Sequence, residues 1–123
     1  MSATSGTVVS MTKWALVTGA SAGIGKEFCE QLAARGDNVV LVARRADRLE
    51  ELKAHLEKRY RVHAEVLAAD LANADDLKRV AERVAQASDP IEVLVNNAGF
   101  GLKTAFLDTD VEKEIASVDV MVK

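Results

Sequence analysis

Three glycines occur where an apolar segment is expected to turn into a helix. Gly19, Gly23 and Gly25 lie in the stretch VTGASAGIG, with the spacing G-x-x-x-G-x-G. Glycine has no Cβ, so a ligand can approach its backbone closely, and the amides at a helix start attract an anion. The stretch therefore suits the pyrophosphate of a dinucleotide, although a tight turn with close helix packing would also explain the glycines.

Two arginines follow the next apolar segment, about 20 residues further along the chain, where a bound dinucleotide would place its adenosine ribose. A carboxylate at this point selects the free 2'-hydroxyl of NAD(H), and an arginine selects the 2'-phosphate of NADP(H). The residues here are Ala43, Arg44 and Arg45, which favours NADP(H). The alternative is that the arginines only solvate a helix start, although a positive charge there opposes the helix dipole. That alternative is stronger for Arg45 than for Arg44.

Residues for other kinds of chemistry are sparse. The single cysteine, Cys29, excludes an internal disulfide and is interpreted as a packing residue, and with two histidines it forms no metal-site spacing. Sixteen basic and nineteen acidic residues are interspersed, which argues against binding to nucleic acid or an anionic membrane. No apolar run approaches the roughly 18 residues of a membrane span, and residues 1–12 do not resemble a signal peptide. We therefore expect a soluble cytoplasmic chain that binds small molecules or protein, with no metal and no membrane.

Segments rich in Val and Leu alternate with segments of helical spacing. Three amphipathic segments separate four candidate strands, and Gly36 and Asn73 stand where the first helix should end and the third should begin. The alternation predicts a Rossmann-type doubly wound parallel sheet with strand order 3-2-1-4 and helices on both faces. This α/β domain would cover residues 13–123, after a disordered tail over residues 1–12. The candidate strands are 14–18, 38–43, 62–70 and 91–97.

The last segment of the chain has the pattern of a further helix that begins at Asp108 or Thr109. Its apolar stripe would have no later element to cover it, and the fourth strand would have an open edge over 91–95. We therefore expect self-association through this helix, 109–123, and interpret the chain as the amino-terminal part of a longer domain. The stripe consists of Val111, Ile115, Val118 and Val122.

Three motifs together resemble the short-chain dehydrogenase/reductase family: TGASAGIG at 18–25, AADL at 68–71 and NNAG at 96–99. The resemblance implies an oxidoreductase that transfers hydride between NADP(H) and a carbonyl or secondary alcohol. It implies that Arg44 binds the 2'-phosphate, that Asp70 binds the adenine amino group and that 97–99 form the floor beside the adenosine ribose. Taken singly, Asp70 could merely end a strand, and Asn96 and Asn97 could merely form a turn. The cofactor-binding residues that the resemblance implies are Thr18, Gly19, Ser21, Gly23, Ile24, Gly25, Arg44, Asp70, Leu71, Asn97, Ala98 and Gly99.

The sequence departs from the family at its catalytic residues, which are a serine, a tyrosine and a lysine four residues after the tyrosine. The only tyrosine is Tyr60, the residue four positions later is Ala64, and Ser117 falls in the last helical segment, so no catalytic residue is assigned. Met121 stands where the family has an asparagine, and Ala22 stands where many NADP-preferring members have a basic residue. We expect this chain alone to be inactive. The alternatives are a non-catalytic dinucleotide-binding or interaction module, and a truncation without function.

Overall fold

A computed structural model describes residues 13–21 and 23–97, and the backbone of residues 120–122. Strands and helices alternate along these residues. The predicted tail over 1–12, and most of the predicted helix over 109–123, lie outside the described residues. The elements are β1 (Trp14–Thr18), α1 (Gly23–Ala34), β2 (Asn38–Ala43), α2 (Ala46–Tyr60), β3 (Ala64–Ala68), α3 (Ala74–Ala85), β4 (Ile91–Asn96) and β5 (Val120–Val122).

The strands form one sheet in the order β3-β2-β1-β4-β5. The first four are parallel, with Leu16 of β1 aligned with Val40 of β2 and Leu94 of β4. This confirms the predicted Rossmann-type sheet and its strand order, 3-2-1-4. The strands predicted over 62–70 and 91–97 are shorter in the structure, because loops occupy the first and last residues of the former and the last residue of the latter.

Alternate residues of each strand pack on opposite faces of the sheet. One face is covered by α1 and α2 and the other by α3. Each fully buried Val or Leu side chain stabilises the fold by about 1.5–3 kcal/mol, so both helix layers are held firmly on the sheet. Because both faces are buried, the central strands read as continuous apolar runs. Buried examples are Val17, Leu41 and Val95 on the α1–α2 face and Leu16, Val40 and Leu94 on the α3 face.

Two helix boundaries lie where Asn73 and Gly36 predicted them. The Asn73 side chain accepts a hydrogen bond from the backbone N–H of Asp76 at 3.0 Å, which caps the first turn of α3. Gly36 has φ +97° two residues after the end of α1, a conformation that residues with a Cβ rarely adopt. These local signals therefore place the ends of the two helices correctly.

The end of the chain corrects one prediction. Residues 120–122 form a strand antiparallel to β4, with Val120 opposite Val95 and Val122 opposite Val93. A helix that continues through Val122 is therefore wrong, and so is an open edge of β4 over 93–95. β-Branched residues favour extended backbone, and the edge of β4 offers backbone groups for pairing. Among the described helices, none combines the length and apolar character that a membrane crossing requires.

Candidate functional site

The turn between β1 and α1 depends on its glycines for different reasons. Gly19 and Gly23 have φ +66° and +61°, in the left-handed region. A Cβ on Gly25 would lie 2.0 Å from the carbonyl oxygen of Gly19, so close packing of α1 on the turn requires glycine there. A Cβ on Gly23 would meet no atom of the described residues within 4 Å. Packing therefore explains Gly25, whereas the space beside Gly23 is free for a ligand.

The end of β4 holds this turn in place. The Asn97 side-chain amide donates to the carbonyl oxygen of Gly19 at 3.4 Å, and the Thr18 hydroxyl donates to Oδ1 of Asn96 at 3.1 Å. Thr18 is fully buried, so its side chain positions the turn instead of facing a ligand. Asn96 therefore connects the end of β4 to the end of β1, and Asn97 connects it to the glycine turn that follows. The predicted site residues Ala98 and Gly99 lie outside the described residues.

An open pocket of about 450 Å³ lies at the carboxyl ends of the first three strands. It brings together five of the predicted cofactor-binding residues, because the carboxyl ends of parallel strands meet at one edge of a sheet. Ile24 is not in its lining; the residue is 58% exposed in the first turn of α1. The lining residues are Gly19, Ser21, Val42, Ala43, Arg44, Arg45, Ala69, Asp70, Leu71 and Ala72.

The two arginines of the pocket differ in their contacts. Arg45 donates from Nε and Nη2 to the two carboxylate oxygens of Asp47, at 3.2 and 2.9 Å. The hydrogen bond from Arg45 lowers the pKa of Asp47. Arg44 is exposed and forms no ion pair with any described residue. The charge of Arg45 is therefore engaged locally, and that of Arg44 is available to an anion.

Asp70 begins the turn from β3 to α3. Its Oδ1 accepts from the backbone N–H of Ala72 at 3.0 Å, and its own N–H donates to Oδ2 of Asp76 at 2.9 Å. These bonds fix the carboxylate at the pocket wall, where its second oxygen can accept a hydrogen bond from an amino group. Leu71 is buried, so its backbone and not its side chain is suited to a polar ligand.

The sequence alone assigned no role to the small residues of the pocket wall. Ala69 directly precedes Asp70, Ala72 follows it by two residues, and both line the pocket, as does Ala43 beside Arg44. Their signal in the sequence is the alanine-rich stretch LAADLA. Small side chains near a polar residue of a pocket wall leave room for a flat ring. This signal could have been recognised before the structure was known.

Tyr60 lies far from this pocket in the fold. It ends α2, and the helices run opposite to the parallel strands, so it lies at the amino edge of the sheet. Its hydroxyl donates to Oε1 of Glu30 at 2.8 Å, and Oε2 of Glu30 is 2.8 Å from Nε2 of His55. These contacts join α1 to α2. Tyr60 is therefore a structural residue in this fold, as its sequence position predicts.

Neither a nucleophilic thiol nor a metal cluster accompanies the pocket within the described residues. Cys29 is buried in the core, and burial raises the pKa of its thiol to about 12. A thiol with such a pKa is inert near neutral pH, in agreement with its interpretation as a packing residue. The side chains of residues 13–21 and 23–97 form no group of three or more metal ligands.

Known proteins share both the sequence and the geometry of this region. A family model described as "short chain dehydrogenase" matches residues 13–123. A very-long-chain 3-oxoacyl-CoA reductase from Meyerozyma guilliermondii is 45% identical over 109 residues, which are 86% of this chain and 31% of that protein. This chain therefore spans about a third of the length of the curated relatives that it matches.

Solved structures of dehydrogenases and reductases are also similar to this chain. A short-chain dehydrogenase from Sphingobium yanoikuyae in complex with NADPH is 44% identical, with a TM-score of 0.68 over 71% of this chain and 34% of that one. L-Sorbose reductase from Gluconobacter frateurii, complexed with NADPH and L-sorbose, is 39% identical, with a TM-score of 0.66 over 73% and 34%. Because the family match extends from residue 13 to residue 123 and the sheet has the predicted order, the chain belongs to the short-chain dehydrogenase/reductase family.

Proposed function

We propose that this chain binds NADP(H) at the carboxyl edge of its sheet, as the cofactor-binding portion of an oxidoreductase. The observation that carries the proposal is Arg44, a cation without an ion-pair partner among the described residues, in the same pocket as the glycine turn. No described carboxylate lies within ion-pair distance to compete for it. An arginine so placed matches the requirement of a 2'-phosphate.

The residues present fit the parts of the cofactor. The open space beside Gly23 and the amides at the start of α1 suit the pyrophosphate, and Ser21 and Arg44 suit the 2'-phosphate. The Asp70 carboxylate and the Leu71 backbone suit the edge of the adenine ring. NADP(H), when bound, supplies or accepts the hydride of the reaction.

The reaction that we propose for the complete protein is hydride transfer between NADP(H) and a carbonyl or secondary alcohol. The names of the relatives support it, since a 3-oxoacyl-CoA reductase and an L-sorbose reductase both reduce a carbonyl group. Both solved structures compared above contain NADPH. The shared chemistry is therefore carbonyl reduction, with different substrates in different members.

We further propose that the 123-residue chain alone has no turnover. Its only tyrosine is bonded to Glu30 at the opposite edge from the pocket, so it is not placed to protonate a substrate bound there. Positioned general acid catalysis is typically worth ~10²- to 10⁴-fold in rate. NADPH oxidation with a panel of ketones and aldehydes should therefore stay at the buffer rate, and clear turnover would contradict this proposal.

Arg44→Asp tests the cofactor assignment. The unmutated chain should bind NADPH more tightly than NADH, by roughly 1.5–3 kcal/mol for a contact to a charged group, and the substitution should remove or reverse this preference. Fluorescence titration with both cofactors measures it. Arg45→Asp, whose guanidinium is already engaged by Asp47, is the matched control and should change the preference less. Equal affinities for both cofactors in the unmutated chain would refute the assignment.

We also propose that the chain self-associates through residues 109–123. The apolar positions Val111, Ile115 and Val118 support it, while the pairing of residues 120–122 with β4 limits the surface to the preceding part of the segment. Sedimentation across a concentration series should show a mass that increases with concentration. A monomer at every concentration would contradict the proposal.

A further inference from the structure

A second open pocket, of about 420 Å³, lies between α1 and α2. Ser21 lines both this pocket and the proposed cofactor pocket, so the two are neighbours. A group bound at Ser21 is therefore accessible from two sides. We refer to the second pocket as the α1–α2 groove; it is lined by Ser21, Lys26, Glu30, Arg48, Glu51, Leu52 and His55.

The charges of the α1–α2 groove are separated along its length. Lys26 and Arg48 lie in the first turns of α1 and α2, at the carboxyl edge of the sheet where Ser21 also lies. Glu30 and Glu51 lie about one turn further along these helices, and Glu30 is engaged by His55 and Tyr60. The end of the groove that adjoins the cofactor pocket is therefore its positive end.

Arg48 is not explained by contacts within the described part of the chain. Its guanidinium forms no ion pair or hydrogen bond with those residues, although Glu51 lines the same groove. A cation in the first turn of a helix also opposes the helix dipole. Arg45, by contrast, is held by Asp47. An exposed arginine whose guanidinium has no partner among the described residues, and which lines the same groove as Ser21, is suited to an anion at Ser21.

We propose that Arg48 is a second recognition residue for the 2'-phosphate of NADP(H), reaching it from the α1–α2 groove while Arg44 reaches it from the cofactor pocket. This inference rests on the proposed function. A phosphate monoester near neutral pH carries close to two negative charges, so two cations on separate elements can each contribute a charge-assisted contact. Lys26 lies at the same end of the groove and adds to the positive potential there.

The test compares adenosine 2',5'-bisphosphate with adenosine 5'-monophosphate, two probes that differ only in the 2'-phosphate. Calorimetric titration of Arg48→Gln should show the bisphosphate bound about tenfold more weakly, and the monophosphate changed by less than about twofold. Arg48→Lys should restore part of the difference, because it keeps the charge and loses the planar guanidinium. The matched control is Arg59→Gln, which removes the same charge from α2 about 16 Å further along its axis and should leave both affinities unchanged.

Each outcome distinguishes this inference from the proposed function. If the unmutated chain prefers the bisphosphate and Arg48→Gln retains the full preference, Arg48 is not a recognition residue and only this inference is wrong. If Arg48→Gln weakens both probes equally, the residue supports the fold and the inference is also wrong. If the unmutated chain binds both probes equally, or neither, the proposed function fails together with the inference.

Discussion

The two edges of the sheet use their polar residues differently. At the amino edge, Arg83 donates to Glu65 at 3.0 Å and to the carbonyl oxygen of Asp89 at 2.8 Å, and Tyr60 donates to Glu30. At the carboxyl edge, Arg44 and Arg48 are exposed and have no ion-pair partner among the described residues.

This difference separates stability from binding. Arg83 is only 6% exposed, and its guanidinium lies 5.2 Å from the centroid of the Trp14 ring, so its contacts hold α3 to the sheet. Arg44 and Arg48 at the other edge make no such contacts with the described residues and remain in water, whereas Arg45 and Arg79 there are paired with Asp47 and Asp76. Substitutions at the amino edge should therefore change the free energy of unfolding, and substitutions of charge at the carboxyl edge should change ligand affinity.

The largest expected effect on stability and on NADPH binding is that of substituting Gly25. This residue lies at the carboxyl edge, but α1 packs on it too closely to leave room for a side chain. Gly25→Ala places a methyl group 2.0 Å from the Gly19 carbonyl oxygen, so α1 must shift away from the turn. We expect a loss of about 2–3 kcal/mol in the free energy of unfolding, as for overpacked cores, together with loss of NADPH binding. Urea denaturation and NADPH titration measure the two effects.

Gly23→Ala is the matched control in the same turn. Its methyl group meets no described atom within 4 Å, and the left-handed φ of +61° costs only about 1–2 kcal/mol. We expect NADPH affinity to decrease by at least about tenfold, since the methyl group would occupy the space proposed for the pyrophosphate. An equal loss of stability in both variants, with NADPH binding retained in Gly23→Ala, would show that both glycines serve packing alone.

An intermediate effect is expected at Arg83. Arg83→Met keeps much of the side-chain volume but removes two hydrogen bonds and the charge that faces Glu65. The free energy of unfolding should decrease by about 1–3 kcal/mol, while NADPH affinity stays the same. Lys78→Met, an exposed position on the same helix, should have almost no effect on either quantity. A decrease in NADPH affinity on Arg83→Met in the folded protein would remove the distinction between the two edges.

The smallest effect is expected at Tyr60. Tyr60→Phe removes the hydroxyl that bonds Glu30, and His55 remains as a partner of that carboxylate. We expect a loss of about 0.5–1.5 kcal/mol in the free energy of unfolding, with NADPH and NADH affinities unchanged. An altered cofactor preference in this variant would show that the only tyrosine affects the binding edge after all.

Local signals in the sequence were sufficient for the order of the elements from β1 to β4 and for the parallel sheet. Apolar runs and helical spacing predicted β1, β2 and the three helices, because these patterns follow directly from burial of one or both faces. Arg44 was predicted from its position just after a strand and Asp70 from the resemblance to the family, and the structure places both in one pocket. The last segment was mistaken for a continuous helix because valines fit both an apolar helix stripe and a strand.

The sequence by itself determined which residues are glycine, apolar or charged, and hence the strands, helices and turn that they form locally. Only the tertiary structure decided that Asn97 bonds the turn at Gly19, 78 residues earlier in the chain, and that Arg44 and Asp70 line one pocket. The tertiary structure also decided that Arg48, on α2, lines the same groove as Ser21, which precedes α1. Such contacts depend on how helices and strands pack together, and packing brings together residues that no local pattern connects.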